Sequence, residues 1–324
     1  MPPWPLLFLA PMAGVTNTVF RGLCKNLGAD VLTTEFVSAE GILHRNERTR
    51  RYLEFLPEER PLGIQLFGAD PSRLAEAVKV VIDWVSPDFI DLNFGCPVNK
   101  VVARNGGSAL LKDCPLLASV AREVVAAAGS LPVTAKIRIG WDSRSVNALE
   151  TARILEGEGI SRLAVHGRTK EQGYTGEADW EVIGAVADAV GIPVIGNGDI
   201  DSAEVALKRL RETNVSGLMI GRAAMCHPWI FREIRLALDG GTAPEPVTLR
   251  MKWDFIFEHT RREILWWGGK EELAIRSMRA RFMSYTRGLP GGARLREKLQ
   301  QVTSAESLYE IGEAHVLENR GRVV

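Results

Sequence analysis

One thiol in the sequence is held as if for chemistry. Cys96 closes the stretch Asp91-Leu92-Asn93-Phe94-Gly95-Cys96-Pro97, in which an apolar run turns polar and stops between a glycine and a proline. Gly95 is expected to take backbone angles that other residues avoid, and Pro97 to stiffen the exit. A free cysteine is usually a small core hydrophobe, and Cys24, midway along an amphipathic stretch, reads that way. Cys114, between Asp113 and Pro115, belongs to a helix start, and Cys226 stays ambiguous. Cys96 follows Asn93 and Gly95 and has little apolar surface to join, so proton donation is its expected work. Lys136 lies inside a β-like run, where an ammonium needs a partner. A neighbouring carboxylate, a Schiff base, or anionic charge on a reduced cofactor ring would each serve. Gln65 can donate to and accept from a ring edge through its amide. His166 reads as a hydrogen-bonded strand end, and Arg168 as a grip on a phosphate or a base. In Asn197-Gly198-Asp199 and Gly221-Arg222, the glycines let backbone N–H groups approach an anion and the arginine adds charge.

These residues fall at the ends of a repeated pattern. Short β-like runs at 7–12, 31–36, 62–67, 89–93, 133–139, 163–166, 194–196 and 218–220 alternate with helical stretches, less regularly between the second and third. Alternation of this kind predicts a parallel sheet with right-handed crossovers. Eight such units within 1–240 fit a closed (β/α)8 TIM barrel. Barrel enzymes react at the C-terminal ends of their strands and commonly bind phosphate after strands seven and eight. Those ends here carry Pro11-Met12-Ala13, Gln65, Asn93 with Cys96, Lys136 with Arg138, His166 with Arg168, Asn197–Asp199 and Gly221-Arg222.

A linker is expected at 241–247, followed by a small all-helical domain at 248–324 with one apolar stripe through Phe255, His259 and Ile264/Leu265 and another through Met278, Phe282 and Tyr285. The 324 residues carry 40 Lys+Arg against 40 Asp+Glu, so net charge points to no polyanionic partner. Charge is local instead: residues 250–298 hold about six surplus positive charges, and Arg276, Arg279 and Arg287 share one helical face. No Cys-x-x-Cys pair argues for a metal, no disulfide framework is expected, and no stretch approaches a membrane span. A cytoplasmic protein is the expectation.

Together, Leu9–Gly14, Asn93-Phe94-Gly95-Cys96-Pro97, Gly107–Leu111, Lys136-Ile137-Arg138, His166-Gly167-Arg168-Thr169, Asn197-Gly198-Asp199-Ile200 and Gly221-Arg222-Ala223 resemble the tRNA-dihydrouridine synthases, the bacterial B-type branch most of all. The resemblance implies a flavoenzyme that reduces particular uridines of tRNA with FMN and NADPH, or NADH. It implies FMN contacts from Pro11, Met12, Ala13, Gln65, Lys136, His166, Asn197, Gly198, Asp199, Gly221 and Arg222, with Cys96 as the catalytic acid. Asn93 and Arg168 are expected to hold the uracil edge, and the helical tail to grip tRNA through Arg276, Arg279 and Arg287. Where the family often carries Arg-Lys-His, this chain has Arg279-Ala280-Arg281. Two other functions stay open: an FMN barrel acting on a free pyrimidine, like a dihydroorotate dehydrogenase, and a flavin-free RNA-binding or regulatory protein.

Overall fold

Residues 5–45, 47–97, 106–241 and 245–320 are described in a computed structural model of the chain; parts of the expected barrel, linker and tail at 1–4, 46, 98–105, 242–244 and 321–324 lie outside them. The strands are β1 (Leu6–Leu9), β2 (Leu32–Thr33), β3 (Val37–Ser38), β4 (Leu62–Phe67), β5 (Phe89–Phe94), β6 (Val133–Arg138), β7 (Arg162–His166), β8 (Val194–Asn197) and β9 (Gly217–Ile220). All pair in parallel in the order β1-β9-β8-β7-β6-β5-β4-β2. A parallel bridge from Phe8 to Val31 closes the ring.

The second expected run, 31–36, is two short strands rather than one. Both β2 and β3 lie along β4, as halves of one interrupted stave, which leaves eight staves. At the break the Thr34 hydroxyl accepts from the Gln65 N–H at 3.1 Å, in place of a ladder bond.

Strand alternation sorts the side chains into layers. Leu7, Leu9, Ile64, Leu66, Ile90, Leu92 and Phe94 face outward into the main apolar core beneath the helices. Phe8, Ala10, Val31, Phe89, Ala164, Ile195 and Met219 form a second cluster inside the ring. Its floor is packed: the Arg162 guanidinium lies 4.9 Å from the Phe8 ring and 4.7 Å from the Phe89 ring. Gly63 makes room for Phe89, since a Cβ there would fall 2.1 Å from that ring. Above the floor the inward positions turn polar: Asp91, Gln65 and Thr134, then Asn93, Lys136 and His166 nearer the C-terminal end.

The helices that bear on the site are α1 (Thr18–Asn26) after β1, α2 (Ala39–Leu43) and α3 (Glu47–Arg51) in the irregular second connection, α4 (Pro71–Val85), α5 (Cys114–Ala128), α6 (Ala148–Gly157), α7 (Trp180–Ala189), α8 (Ala203–Glu212), and α9 (Arg222–Cys226) with α10 (Ile230–Leu238) after β9. Four more follow: α11 (Leu249–Trp266), α12 (Glu271–Tyr285), α13 (Gly292–Gln300) and α14 (Ala305–Glu318). Helix α11 packs on α1, and α12 on α9. The stripe expected on α11 is corrected. His259 is buried as expected, but Phe255 and Ile264 are only half-buried, Leu265 is exposed, and the buried face runs through Leu249, Trp253, Ile256, His259, Thr260 and Glu263. A buried glutamate is invisible to an apolar-periodicity reading. Met278, Phe282 and Tyr285 are buried as expected.

Candidate active site

The mouth is built around the turn that carries Cys96. The Asn93 Oδ1 accepts from the backbone N–H of Gly95 at 3.1 Å and of Cys96 at 2.8 Å. The Arg138 Nε donates to the Gly95 carbonyl at 3.0 Å, and the Ser108 hydroxyl to the Cys96 carbonyl at 2.8 Å. Three side chains from different segments thus fix the backbone on both sides of the thiol. Cys96 is buried yet belongs to neither apolar cluster, whereas Cys24 sits in the main core. Gly95 is needed for space rather than for an unusual φ: a Cβ there would come 3.3 Å from the Ile137 carbonyl carbon.

A polar chain runs down from this turn into the ring. The Asn93 Nδ2 donates to Gln65 Oε1 at 2.7 Å, and Gln65 Nε2 to Asp91 Oδ2 at 2.6 Å. The Thr134 hydroxyl donates to Asp91 Oδ1 at 2.5 Å. Burial pushes the Asp91 carboxyl up, and the bonds from Thr134 and Gln65 resist that shift. Both amides are engaged inside the protein. Gln65 is fully buried with its amide oxygen and one N–H engaged. Asn93 spends both ends of its amide on Gln65 and on the Cys96 turn, whose backbone it positions.

Lys136 pairs in register with Asn93 on the adjacent stave, half-open to the mouth. Among the described residues its Nζ makes no hydrogen bond or ion pair. Burial lowers its pKa to about 7, and nearby Arg138 adds to this, while Asp91 and Cys96 pull the other way. His166 ends β7 and stays neutral, because burial and the surrounding Lys136, Arg138, Arg168 and Arg222 all disfavour its protonation.

Arg168 is reassigned. Its guanidinium is 2 % exposed and donates to the Thr175 and Gly176 carbonyls and to both oxygens of Asp199, at 2.8 and 2.7 Å. It is occupied inside the protein and leaves no face for a base. Asp199 accepts from Arg222 as well, at 2.8 Å. Burial works against this carboxylate, but the Ala178 N–H and the two arginines hold its pKa below the usual range. The Asp199 side chain therefore clamps two cations, and an anion there would meet its backbone and Arg222 instead. Asp199 takes a left-handed φ of 52°, a strained value for a non-glycine residue, directly after Gly198 at 132°, which glycine accommodates freely. Gly221 has no left-handed φ, and a Cβ there would lie against Ala10 and Met12 at ordinary contact distance. The same packing brings Met12 beside the end of β9. Pro11 and Met12 are half-buried and Ala13 exposed on that rim, and the Asn197 Nδ2 donates to the Met219 carbonyl at 2.7 Å.

Two residues outside the expected set matter. Arg138 locks the Cys96 turn to the loop after β7 through the Thr169 and Gly173 carbonyls. Tyr174, 59 % exposed, lies between the guanidiniums of Arg138 at 5.7 Å and Arg222 at 4.9 Å. Alternation gave the signal for Arg138, two residues after Lys136 on one strand. Away from the mouth, Arg276 and Arg287 are exposed on the tail, whereas Arg279 is half-buried and donates to the Val302 carbonyl at 3.3 Å.

A fixed thiol, a half-buried ammonium and an arginine-bearing loop at the C-terminal end of eight staves define a (β/α)8-barrel enzyme. A family model described as "Dihydrouridine synthase (Dus)" matches residues 8–319. The chain belongs to the dihydrouridine synthase family, whose members are flavin enzymes. It is 41 % identical to the "tRNA-dihydrouridine synthase B" of Pseudomonas aeruginosa, covering 93 % of this chain and 90 % of that one. It is 36 % identical to the "Probable tRNA-dihydrouridine synthase" of Aquifex aeolicus, covering 94 % and 93 %. Among solved structures, TcOYE with pHBA aligns at a TM-score of 0.54 and 13 % identity, covering 74 % of this chain and 90 % of that one. At that identity the likeness concerns the barrel fold.

Proposed function

We propose that this chain reduces the C5–C6 double bond of specific uridines in tRNA, with FMN as cofactor and NADPH, or NADH, as reductant. The observation that carries the reading is the Cys96 thiol, buried outside both apolar clusters on a turn latched by Asn93, Arg138 and Ser108. Such a thiol is held for a reacting atom.

The residues fit a flavin. An anionic ring edge would give the Lys136 ammonium the partner it lacks among the described residues, and a phosphate would meet Arg222, whose side chain is 50 % exposed despite its bond to Asp199. Pro11, Met12, Ala13, Gln65, His166, Asn197, Gly198 and Gly221 would complete the cradle. Bound and reduced, FMN supplies the hydride accepted at C6 of the uracil. Cys96 donates the proton to C5 and recovers it from solvent. Asn93 and Arg138 keep the donor aimed; Lys136 stabilises negative charge near the ring. The target base must leave its stack, at a few kcal/mol. The helices from residue 248 onward would offset this by gripping the RNA, with Arg276 and Arg287 as their exposed cations. tRNA as substrate implies a cytoplasmic enzyme.

The test follows the flavin spectrum. The purified protein should be yellow, bleach with NADPH under anaerobic conditions, and be reoxidised by unmodified tRNA with dihydrouridine appearing in the RNA. Reoxidation by orotate or free uridine, with none by tRNA, would overturn the reading in favour of a free-pyrimidine enzyme. A colourless protein that binds tRNA would overturn it in favour of an RNA-binding relic.

A further inference from the structure

We propose that Lys112, Trp141 and Lys170 form a second tRNA contact, a phosphate-gripping platform on the side of the barrel mouth away from the C-terminal helices. The proposal rests on tRNA being the substrate. The Lys112 Nζ lies 4.6 Å and the Lys170 Nζ 4.5 Å from the centroid of the Trp141 ring. Two ammonium groups on one indole are held within about 9 Å of each other by its electron-rich faces. Among the described residues neither lysine forms an ion pair or a hydrogen bond through Nζ. The carboxylates nearest in sequence make no ion pair with either lysine: Asp113 accepts from the Leu116 N–H, Asp142 from the Arg144 N–H and the Ser145 hydroxyl, and Glu171 is exposed. Two ammonium groups thus face one indole with no ion-pair partner among the described residues.

The platform is preformed. Its residues come from three connections that leave the C-terminal ends of β5, β6 and β7, the face on which Cys96 lies. The Lys170 N–H donates to the Gly140 carbonyl and the Glu171 N–H to the Trp141 carbonyl, both at 2.9 Å. The Asn147 Nδ2 donates to the Leu111 carbonyl at 2.8 Å, which ties in the turn that ends at Lys112. These links join all three connections, so little freedom is lost when an anion arrives.

Position gives the platform its partner. The C-terminal helices pack against α1 and α9, beside the first and last staves, while the platform sits above the middle ones. An RNA whose target base enters the mouth passes its backbone over both sides of the ring. Arg276 and Arg287 would hold one flank and the lysine pair the other.

The experiment uses the full-length flavin-loaded protein and an unmodified tRNA transcript, with binding measured from low to moderate salt. Lys112→Ala/Lys170→Ala should weaken binding about tenfold at low salt and flatten the salt slope by about one to two. It should raise KM for tRNA with kcat at saturation preserved. Flavin content and anaerobic reduction by NADPH report that the barrel is intact. Lys112→Arg/Lys170→Arg should restore the slope. An unchanged affinity and slope in the alanine pair, with parent protein that binds the transcript, would overturn the platform alone. A parent protein that binds no tRNA at any salt would overturn the reading beneath it.

Discussion

The mouth of the barrel and the seam between its first stave and the C-terminal helices are both buried and polar, but they leave different groups over. In the mouth, amides and hydroxyls satisfy one another from Asp91 up to the Cys96 backbone. What remains is an ammonium, Lys136, half-open to a ligand. In the seam, Glu263 and His259 are fully buried on α11 and Arg281 is nearly so on α12. The Asn17 Nδ2 donates to Glu263 Oε1 at 2.5 Å, and Arg281 donates to the Val15 carbonyl at 2.9 Å, so both helices grip the β1–α1 loop. Here Glu263 Oε2, His259 Nε2 and Arg281 Nε have no hydrogen-bond partner among the described residues, although His259 Nε2 lies 3.4 Å and the Arg281 guanidinium 3.9 Å from Glu263 Oε1. A group left over in a mouth signals an incoming partner. Groups left over in a closed seam signal that chain connection was favoured over full satisfaction, and they make the seam sensitive to loss of charge.

Four substitutions would break or sharpen that contrast. Cys96→Ala should lower the rate of tRNA reduction by about 10²- to 10⁴-fold while leaving flavin reduction by NADPH near the parent value; equal loss in both half-reactions would remove Cys96 as the acid. Arg281→Ala strips Glu263 of a buried cation and frees the β1–α1 loop. It should cost about 3 kcal/mol in denaturant melts, whereas a change within error would make the seam ordinary packing. Lys136→Met should weaken flavin binding by roughly tenfold without weakening the fold. Lys136 in the ligand-free protein titrates near 7, below its unfolded value, so the unfolded chain binds more protons between there and about 10.4. Parent stability should therefore gain a contribution as pH rises through that window, and the methionine variant should lack it. His259→Phe should have the smallest effect. Burial lowers the His259 pKa to about 4, so its contribution is present at neutral pH and lost as pH falls from about 6.5 to about 4. The variant should show a shallower acid decline in melting temperature; an identical slope would clear His259 of any part in it.

Much of this was legible in the sequence, for identifiable reasons. The eight staves follow from alternation of short apolar runs with helices, and the positions of Cys96, Lys136 and His166 at the mouth follow from where those runs end. The break in the second stave was not legible, because Thr34 replaces a ladder bond with its hydroxyl and keeps a β-like composition. Arg168 and Asn93 were read as open hands. Their types suit base recognition, but only the fold shows that Asp199 and the Cys96 turn already occupy them. Arg281 entered only as one positive charge of a basic tail, although it is buried and donates to the Val15 carbonyl. Sequence gives a charge but not its direction, and a polar residue on a buried face looks solvated until its partner comes from elsewhere in the chain. The Glu263–Asn17 contact spans 246 residues, far beyond any local pattern.

The packed floor has a kinetic consequence. With Phe8, Phe89 and the Arg162 guanidinium filling the bottom of the ring, the eight staves enclose a cup rather than a tube. In the proposed reaction the reductant and the RNA would share one doorway, and the expected order is that they take it in turn. Initial-rate plots against tRNA at several fixed nicotinamide concentrations should then give parallel lines, and oxidised nicotinamide should compete with the RNA for the reduced enzyme.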